Sequence, residues 1–389
     1  MNGHYPMSNN GDIVDLYDTV TSMETDPTTN KITIKGKLKL CKIQECDYLN
    51  KFLVKDICFI TLDPGRNSII EHCEWYPKDS GMLSILQPQK YHIMDANRCD
   101  IVNTFDLDQS AHSTHWNVCD PFISAIAYNI PSVKLFDIRT CDAISTIVLS
   151  SRIQIKGYRP TRVYWSPLDT NGLFIGDSCG DIFFYDTRFL NKPCGKQAAP
   201  VQKLFLPVVY IGMSPDNVHL ITTHGSSCQV TQWNFSQNRD EMLIDTNLNC
   251  HTRNKESHSF HKKTKLNILC TMDRIYTPNL YNYGPDVFCF DRKTGQRLLN
   301  HELKHHLSQR PILQVIGYRR TMFGDDPNPA IIYSGINHIV VSRMSIFSEP
   351  LNEDETSIHG NDGSFTKIKS RDHLTSSILH QDRWSDSDD

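Results

Sequence analysis

The sequence predicts an all-β chain built from repeated four-stranded units, and two recurring markers predict it. The first marker is an apolar strand that closes on an aromatic or apolar residue followed by an acid or amide. It occurs as Tyr91-His92-Ile93-Met94-Asp95, Val133-Lys134-Leu135-Phe136-Asp137, Ile182-Phe183-Phe184-Tyr185-Asp186 and Gln229-Val230-Thr231-Gln232-Trp233-Asn234. The closing positions 95, 137, 186 and 234 are 42, 49 and 48 residues apart. The second marker is expected in the strand before: Glu74-Trp75-Tyr76-Pro77, Tyr164-Trp165-Ser166-Pro167 and Ile211-Gly212-Met213-Ser214-Pro215. Pro77 and Pro167 are 90 residues apart, two periods of 45, and Pro167 and Pro215 are 48 apart. A period of about 40–45 residues with four strands per unit is the signature of a WD40 β-propeller, and the units counted below make it a seven-bladed one. Such a propeller is usually a docking platform, so the functional question turns from catalysis to partners.

Seven units need about 300 residues, and the 389 residues of this chain leave room for one propeller and a tail. The first, degraded unit is expected at 12–45, where 31–34 and 37–41 alternate around Gly36. The following units are expected at 57–99, 101–139, 142–190, 201–236, 240–296 and 298–347. The sixth is long because of an insertion, residues 250–265, and closes on Val287-Phe288-Cys289-Phe290-Asp291. In the fourth, the turn Ser178-Cys179-Gly180-Asp181 puts Cys179 where such units usually carry an aspartate. The resulting division is a flexible N-terminus (1–11), the propeller (12–348) and a disordered acidic tail (349–389).

The tail reading rests on charge. Residues 349–389 carry ten acids and four bases, a net charge of −6, which leaves +2 on the rest of the chain. So polar a segment cannot offset its ordering entropy by burial. Within it lies Asp382-Arg383-Trp384-Ser385-Asp386. Trp384 reads either as part of a solubilising appendage or as the anchor of a docking peptide.

The overall net charge is −4 with a pI of about 6.5, which gives no sign of general affinity for nucleic acid. Thirteen cysteines without a C-x-x-C pair read as reduced, buried thiols of an intracellular protein. The polar N-terminus and the lack of an 18-residue apolar run predict neither signal peptide nor membrane span. Phosphate-binding, G-x-S-x-G and H-E-x-x-H motifs are absent, so no catalytic residue and no cofactor is assigned. Cys250, His251, His258 and His261 match no common zinc spacing, so no metal is assigned either. The same insertion carries Arg253, Lys255, Lys262, Lys263 and Lys265 and reads as a solvated loop or as a contact for an acidic partner.

Phe136, Tyr185, Trp233 and Phe290, like Trp75 and Trp165, read as core aromatics packed between neighbouring units. Arg139 and Arg188 differ. Each follows its aspartate by two residues at the end of a unit's third strand, as Phe-Asp-Ile-Arg and Tyr-Asp-Thr-Arg. Either the guanidinium pairs within its own unit, or it reaches the rim as a planar docking group for a ligase adaptor.

Taken together, these residues resemble the Cockayne syndrome A-type WD40 proteins, from about residue 11 to the C-terminus. The strongest stretches are Cys73-Glu74-Trp75-Tyr76-Pro77-Lys78-Asp79-Ser80-Gly81-Met82, Ser132-Val133-Lys134-Leu135-Phe136-Asp137 and Val163-Tyr164-Trp165-Ser166-Pro167. Tyr333-Ser334-Gly335 before Ser348-Glu349-Pro350, and the tail around Trp384, add to them. The resemblance implies a non-catalytic substrate receptor of a cullin-4–RING ubiquitin ligase, acting in the nucleus in transcription-coupled nucleotide excision repair. It implies a triple-propeller damage-binding adaptor as one partner, and repair factors with stalled RNA polymerase II as others. Direct sequence-specific nucleic-acid binding and membrane binding are not expected. Arg139 and Arg188 match the family's W-D-x-R adaptor signature, with Phe136 and Tyr185 in place of tryptophan. The family's N-terminal helical segment, which inserts into the adaptor, is expected to be either missing here or lost from the gene model, and the strand that closes the ring with it. A WD40 scaffold of another nuclear complex, without the ligase adaptor, is the alternative reading.

Overall fold

The computed structural model describes residues 12–15, 23–25, 31–34, 39–46, 51–59, 62, 70–79, 81–140, 142–150, 152–197, 206–225, 229–234, 239–245, 267–278, 286–298, 303–304, 312–318, 330–335 and 338–343. Residues 1–11 and 349–389, the insertion at 250–265 and Trp384 lie outside the described residues.

Among the described residues the chain is all-β, with no α-helix, and its strands form seven small antiparallel sheets of four strands each. This arrangement is consistent with a β-propeller. Strand β1 (Asp12–Asp15) stands apart from the strands that follow it. The first sheet is β2 (Met23–Thr25), β3 (Lys31–Ile34), β4 (Lys39–Cys46) and β5 (Lys51–Phe59). The second is β6 (His72–Trp75), β7 (Met82–Gln87), β8 (Lys90–Asp95) and β9 (Asp100–Asp106). The third is β10 (Ala111–Trp116), β11 (Ile123–Tyr128), β12 (Ser132–Asp137) and β13 (Asp142–Val148). The fourth is β14 (Pro160–Trp165), β15 (Gly172–Asp177), β16 (Ile182–Asp186) and β17 (Gly195–Gln197). The fifth is β18 (Val208–Met213), β19 (His219–His224), β20 (Gln229–Asn234) and β21 (Arg239–Asp245). The sixth is β22 (Leu269–Cys270), β23 (Arg274–Pro278), β24 (Asp286–Asp291) and β25 (Leu303–Lys304). The last joins β26 (Ile312–Tyr318), β27 (Ala330–Gly335) and β28 (His338–Arg343) to β1, with Asp12 opposite Val341 and Asp15 opposite His338.

This pairing corrects the unit boundaries read from the sequence. Residues 100–106 were expected to open the third unit, yet β9 pairs with β8 as the fourth strand of the second sheet. Residues 142–148 likewise belong with β12, and residues 12–15 with β28. The reason is loop length. Only four residues separate β12 from β13, whereas eleven separate β13 from β14. A tight hairpin forces antiparallel pairing with the strand just made, and the longer connection carries the chain to the next sheet. Strand β1 takes the fourth place of the last sheet, beside β28. The tryptophan-and-proline marker also sits two strands ahead of the acid marker, not one, because β7, β15 and β19 intervene without a marker of their own.

The acid marker has a local cause. Asp95, Asp137, Asp186 and Asp291 all end a third strand and accept the backbone N–H two residues on, at 2.8, 2.8, 3.0 and 2.9 Å. Asp79, Asn117, Asp169 and Asp216 do the same in the loops after first strands, at 2.7, 3.0, 2.9 and 3.1 Å. An Asx turn satisfies a backbone donor as the chain reverses, which is why short acids and amides recur there. At Gly81 in its loop a Cβ would stand 2.5 Å from Asn97 Nδ2, so a larger residue there would have to displace that exposed side chain.

Packing between sheets supplies the core. One buried cluster joins Tyr76, Leu86 and Tyr91 of the second sheet to Trp116, Ile126 and Phe136 of the third. Another joins Val133 and Leu135 of the third to Trp165, Leu173 and Tyr185 of the fourth. Trp233 and Phe290 are buried in the same way further along, so the reading of the marker aromatics as core holds. Each sheet has two apolar faces and covers them with its neighbours.

Polar links lock successive first strands together. A first strand lies at its sheet's edge, so half its backbone groups lack a partner in that sheet. Side chains of the preceding first strand provide partners. His72 Nδ1 accepts Thr114 N–H at 3.2 Å, and the Glu74 carboxylate accepts Trp116 N–H at 3.1 and 3.2 Å. His115 Nδ1 faces Trp165 N–H at 3.2 Å, and Arg162 Nε–H donates to Val209 O at 2.8 Å. Burial pushes His115 down to about 4, so at neutral pH its ring is uncharged; Nδ1 faces both the Trp165 N–H and, at 2.9 Å, Trp116 O, and which of the two it bonds is set by its tautomer.

Two smaller expectations change. Among the described cysteines, the free thiols of Cys73, Cys179, Cys270 and Cys289 are buried, but those of Cys119 and Cys194 are exposed. Cys179 does not do the work of a turn acid. Asp177 accepts the N–H groups of Cys179 and Asp181 at 2.9 and 2.8 Å, while Cys179 packs into the core with Tyr158 and Phe183.

Candidate partner-binding surface

The ends of β12 and β16 carry the same construction. Asp137 closes β12 and is buried. Its Oδ1 accepts the Arg139 N–H at 2.8 Å and Nε–H at 3.0 Å, and its Oδ2 accepts Nη2–H at 2.7 Å. One sheet on, Asp186 Oδ1 accepts the Arg188 N–H at 3.0 Å and Nε–H at 2.9 Å, and Oδ2 accepts Nη2–H at 2.6 Å. The backbone turn that satisfies each aspartate thus also delivers a guanidinium to it edge-on, in the fork geometry that arginine alone provides.

Hydrogen bonds from Arg139 and Arg188 hold the Asp137 and Asp186 carboxyls below the usual carboxylate range, and each carboxylate raises its arginine in return. Both pairs stay ionised across neutral pH. The within-unit pairing read as one alternative is therefore present at both positions. It does not consume the arginines: their side chains remain 55% and 63% exposed. The Asp–Arg fork uses Nε and Nη2, which leaves the Nη1 edge outward on a guanidinium already fixed in place. A partner that binds such an edge gives up little side-chain freedom.

Apolar groups flank both guanidinium groups. Arg139 lies over the Phe122 ring at 4.7 Å, and Arg188 lies 5.8 Å from the Phe189 ring. Phe122, Leu168 and Phe189 are all exposed. Phe122 and Leu168 come from the loops after β10 and β14, which meet: Asn117 Nδ2–H donates to Thr170 O at 2.8 Å, and the Cys119 thiol to Pro167 O at 3.6 Å. The third and fourth sheets thereby present two oriented cations and three exposed apolar side chains at one end, a composition typical of interface anchors.

Among the described residues the pattern stops at these two sheets. After Asp95 the second residue is Asn97; Arg98 donates its backbone N–H to that acid at 3.1 Å, but its guanidinium comes only within 3.7 Å. After Asp291 it is Lys293, and the arginine there, Arg292, turns sideways instead. Arg292 is buried, donates to Met272 O at 2.9 Å, and forms an ion pair with Asp216 of the fifth sheet. The sequence reading missed Arg292 because the residue after the acid had no assigned role. It missed Phe122 and Leu168 because they lie in loops remote in sequence from the arginines. Phe189 was legible as the neighbour of Arg188.

Among the described residues no group of three His, Cys, Asp or Glu side chains could hold a metal ion. The histidine-rich insertion and Trp384 lie outside those residues. No protein-family model matches the chain, and no curated protein matches it significantly.

Proposed function

We propose that this chain is a non-catalytic substrate-recognition subunit of a cullin-4–RING E3 ubiquitin ligase, acting in the nucleus in transcription-coupled nucleotide excision repair. Its scaffold is a seven-bladed WD40 β-propeller closed by β1, which completes the last blade beside β28. Arg139 and Arg188 dock the triple-propeller damage-binding adaptor, and the tail around Trp384 recruits repair factors at stalled RNA polymerase II. The resemblance of the Cys73–Met82 run, of Ser132–Asp137 and of the tail to Cockayne syndrome A-type proteins supports this reading. The observation that carries it is the pair of adjacent, oriented, half-exposed Asp–x–Arg forks beside Phe122, Leu168 and Phe189.

A tagged chain is expected to capture the adaptor from nuclear extract. Arg139→Ala with Arg188→Ala is expected to weaken capture about tenfold or more, as loss of interface charge contacts does, while the melting temperature stays close to that of the parent. Undiminished capture removes the docking role. A matching fall in melting temperature makes the arginines structural. A scaffold of another nuclear complex, without the ligase adaptor, is the second reading. It is favoured by the forks themselves, since a purely structural arginine makes the same bidentate bond to its own aspartate.

The tail carries a separate prediction. Deleting residues 370–389 is expected to leave folding and adaptor capture intact, because every strand of the seven sheets ends by Arg343. Recruitment of a repair or transcription partner is expected to fall, with Trp384→Ala reproducing most of the loss, since tryptophan is a frequent interface anchor. Partner recruitment and ultraviolet survival at parental levels would reduce the tail to a solubilising appendage.

A further inference from the structure

We propose that the loop between β13 and β14, in its described residues 149–150 and 152–159, is a docking site for an acidic protein segment that also carries apolar side chains. It lies at the sheet ends opposite Arg139 and Arg188, because β13 runs antiparallel to β12. The inference goes beyond the ligase reading and does not depend on it.

Charge is the first observation. The run Arg152-Ile153-Gln154-Ile155-Lys156-Gly157-Tyr158-Arg159 holds three cations and no acid. Arg152 is committed inward: its guanidinium meets the buried Asp181 at 3.0 Å, where Lys196 also reaches at 2.8 Å. Lys156 and Arg159 are exposed, and neither makes an ion pair among the described residues. On the adjacent loop, Asp108 is engaged by Lys134 at 2.6 Å. The charge presented outward by the loop is therefore positive.

Apolar exposure is the second. Ile153 and Ile155 are exposed, as is Ile130 in the turn between β11 and β12. That turn adjoins the start of the loop, where Leu149 N–H donates to Pro131 O at 2.9 Å. Branched aliphatic side chains beside the outward cations Lys156 and Arg159 suit a peptide that carries both acids and apolar residues. They do not suit nucleic acid, whose bases stack on aromatic rings; the loop's one aromatic, Tyr158, is buried.

The third is that the loop is built. Ile155 N–H donates to Arg152 O at 2.9 Å and Tyr158 N–H to Ile155 O at 3.0 Å. Ser178 N–H donates to Arg159 O at 2.9 Å, and Arg159 N–H to Ser178 Oγ at 3.2 Å. Gly157 turns the chain through a left-handed conformation, φ 80°, in open space. A loop held at both ends by the sheet below it presents its side chains with little ordering left to lose on binding.

The test titrates the full chain into a short fluorescein-labelled peptide of alternating glutamate and leucine, followed by anisotropy. Binding is expected, weakening as salt is added, and weaker for an all-glutamate peptide. Lys156→Glu with Arg159→Glu, and separately Ile153→Ser with Ile155→Ser, are each expected to weaken it about tenfold or more, with melting temperature and adaptor capture unchanged. Absence of binding, or binding unmoved by either pair, overturns the proposal. Preferential binding of a dT oligonucleotide or of phosphatidylserine vesicles through the same residues also overturns it, by assigning the loop to nucleic acid or membrane. Loss of adaptor capture in these variants would overturn its separateness from the Arg139–Arg188 end.

Discussion

Replacing Arg292 by alanine is expected to lower the unfolding free energy by about 3–5 kcal/mol, the usual cost of breaking a buried ion pair. The side chain is only 6% exposed and joins two sheets: it pairs with Asp216 in the loop after β18 and donates to Met272 O in the loop after β22. A second guanidinium contact reaches His219 Nδ1 at 3.0 Å. Without the arginine, Asp216, 28% exposed, keeps the Val218 N–H and the Ser214 hydroxyl but loses its counter-charge. Urea denaturation of the two proteins measures the difference. A loss under about 1 kcal/mol would mean that the pair behaves like a surface bridge. The effect also carries a pH signature. Burial alone raises Asp216, but hydrogen bonds from Ser214, Arg292 and the Val218 N–H outweigh it and hold the carboxyl below its ordinary value. A folded value below the unfolded one, about 4, stabilises the protein above that pH, and the gain is lost as pH falls through the folded value. The gap between parent and Arg292→Ala is therefore expected to narrow below about pH 4.

Trp116→Ala is expected to cost about 3–5 kcal/mol, the range for deleting a buried large aromatic. Trp116 is among the largest fully buried side chains and ends β10 between the second and third sheets. Its ring meets Tyr76 edge-on, with centroids 5.3 Å apart at 87°, and lies 6.2 Å from Tyr91. No single neighbour can fill the cavity, because the lining comes from two separately hydrogen-bonded sheets. Trp116→Phe is expected to cost only about 1–2 kcal/mol, since the indole Nε1–H makes no hydrogen bond and phenylalanine gives up volume alone. Equal losses for the two substitutions would show that the indole nitrogen, not the ring's volume, matters.

Trp116 marks where sequence reading ran short. It occupies the same place as Trp75 and Trp165, at the end of a first strand, but Asn117-Val118 follows it and no proline draws the eye. The acid marker was legible because it answers a local demand. A chain reversing after β12 or β16 needs an acceptor for the N–H two residues on, and Asp137 and Asp186 supply it within their own sequence neighbourhood. The adjacent Arg139 and Arg188 were legible for the same reason, since their bonds run to an acid two residues away. Phe122 and Leu168, Arg292 and the partners of His72 and Glu74 were not, because their contacts cross loops or sheets.

The sequence by itself determined the all-β repeat, its period, the aromatic core positions and the two Asp–x–Arg forks. Each of these is written within one strand and its turn, where alternation, a capping acid and a buried ring act over a few residues. Tertiary structure alone decided which strand belongs to which sheet, and so that Asp12–Asp15 pairs with His338–Arg343. It also decided that Glu74 and His115 hold the backbone of the next first strand, and that Phe122 comes to lie under Arg139. Edge pairing and sheet-to-sheet packing join residues 42, 50 and more than 300 positions apart. A hydrogen bond across that distance depends on where the intervening sheets carry the chain, and no local pattern records it.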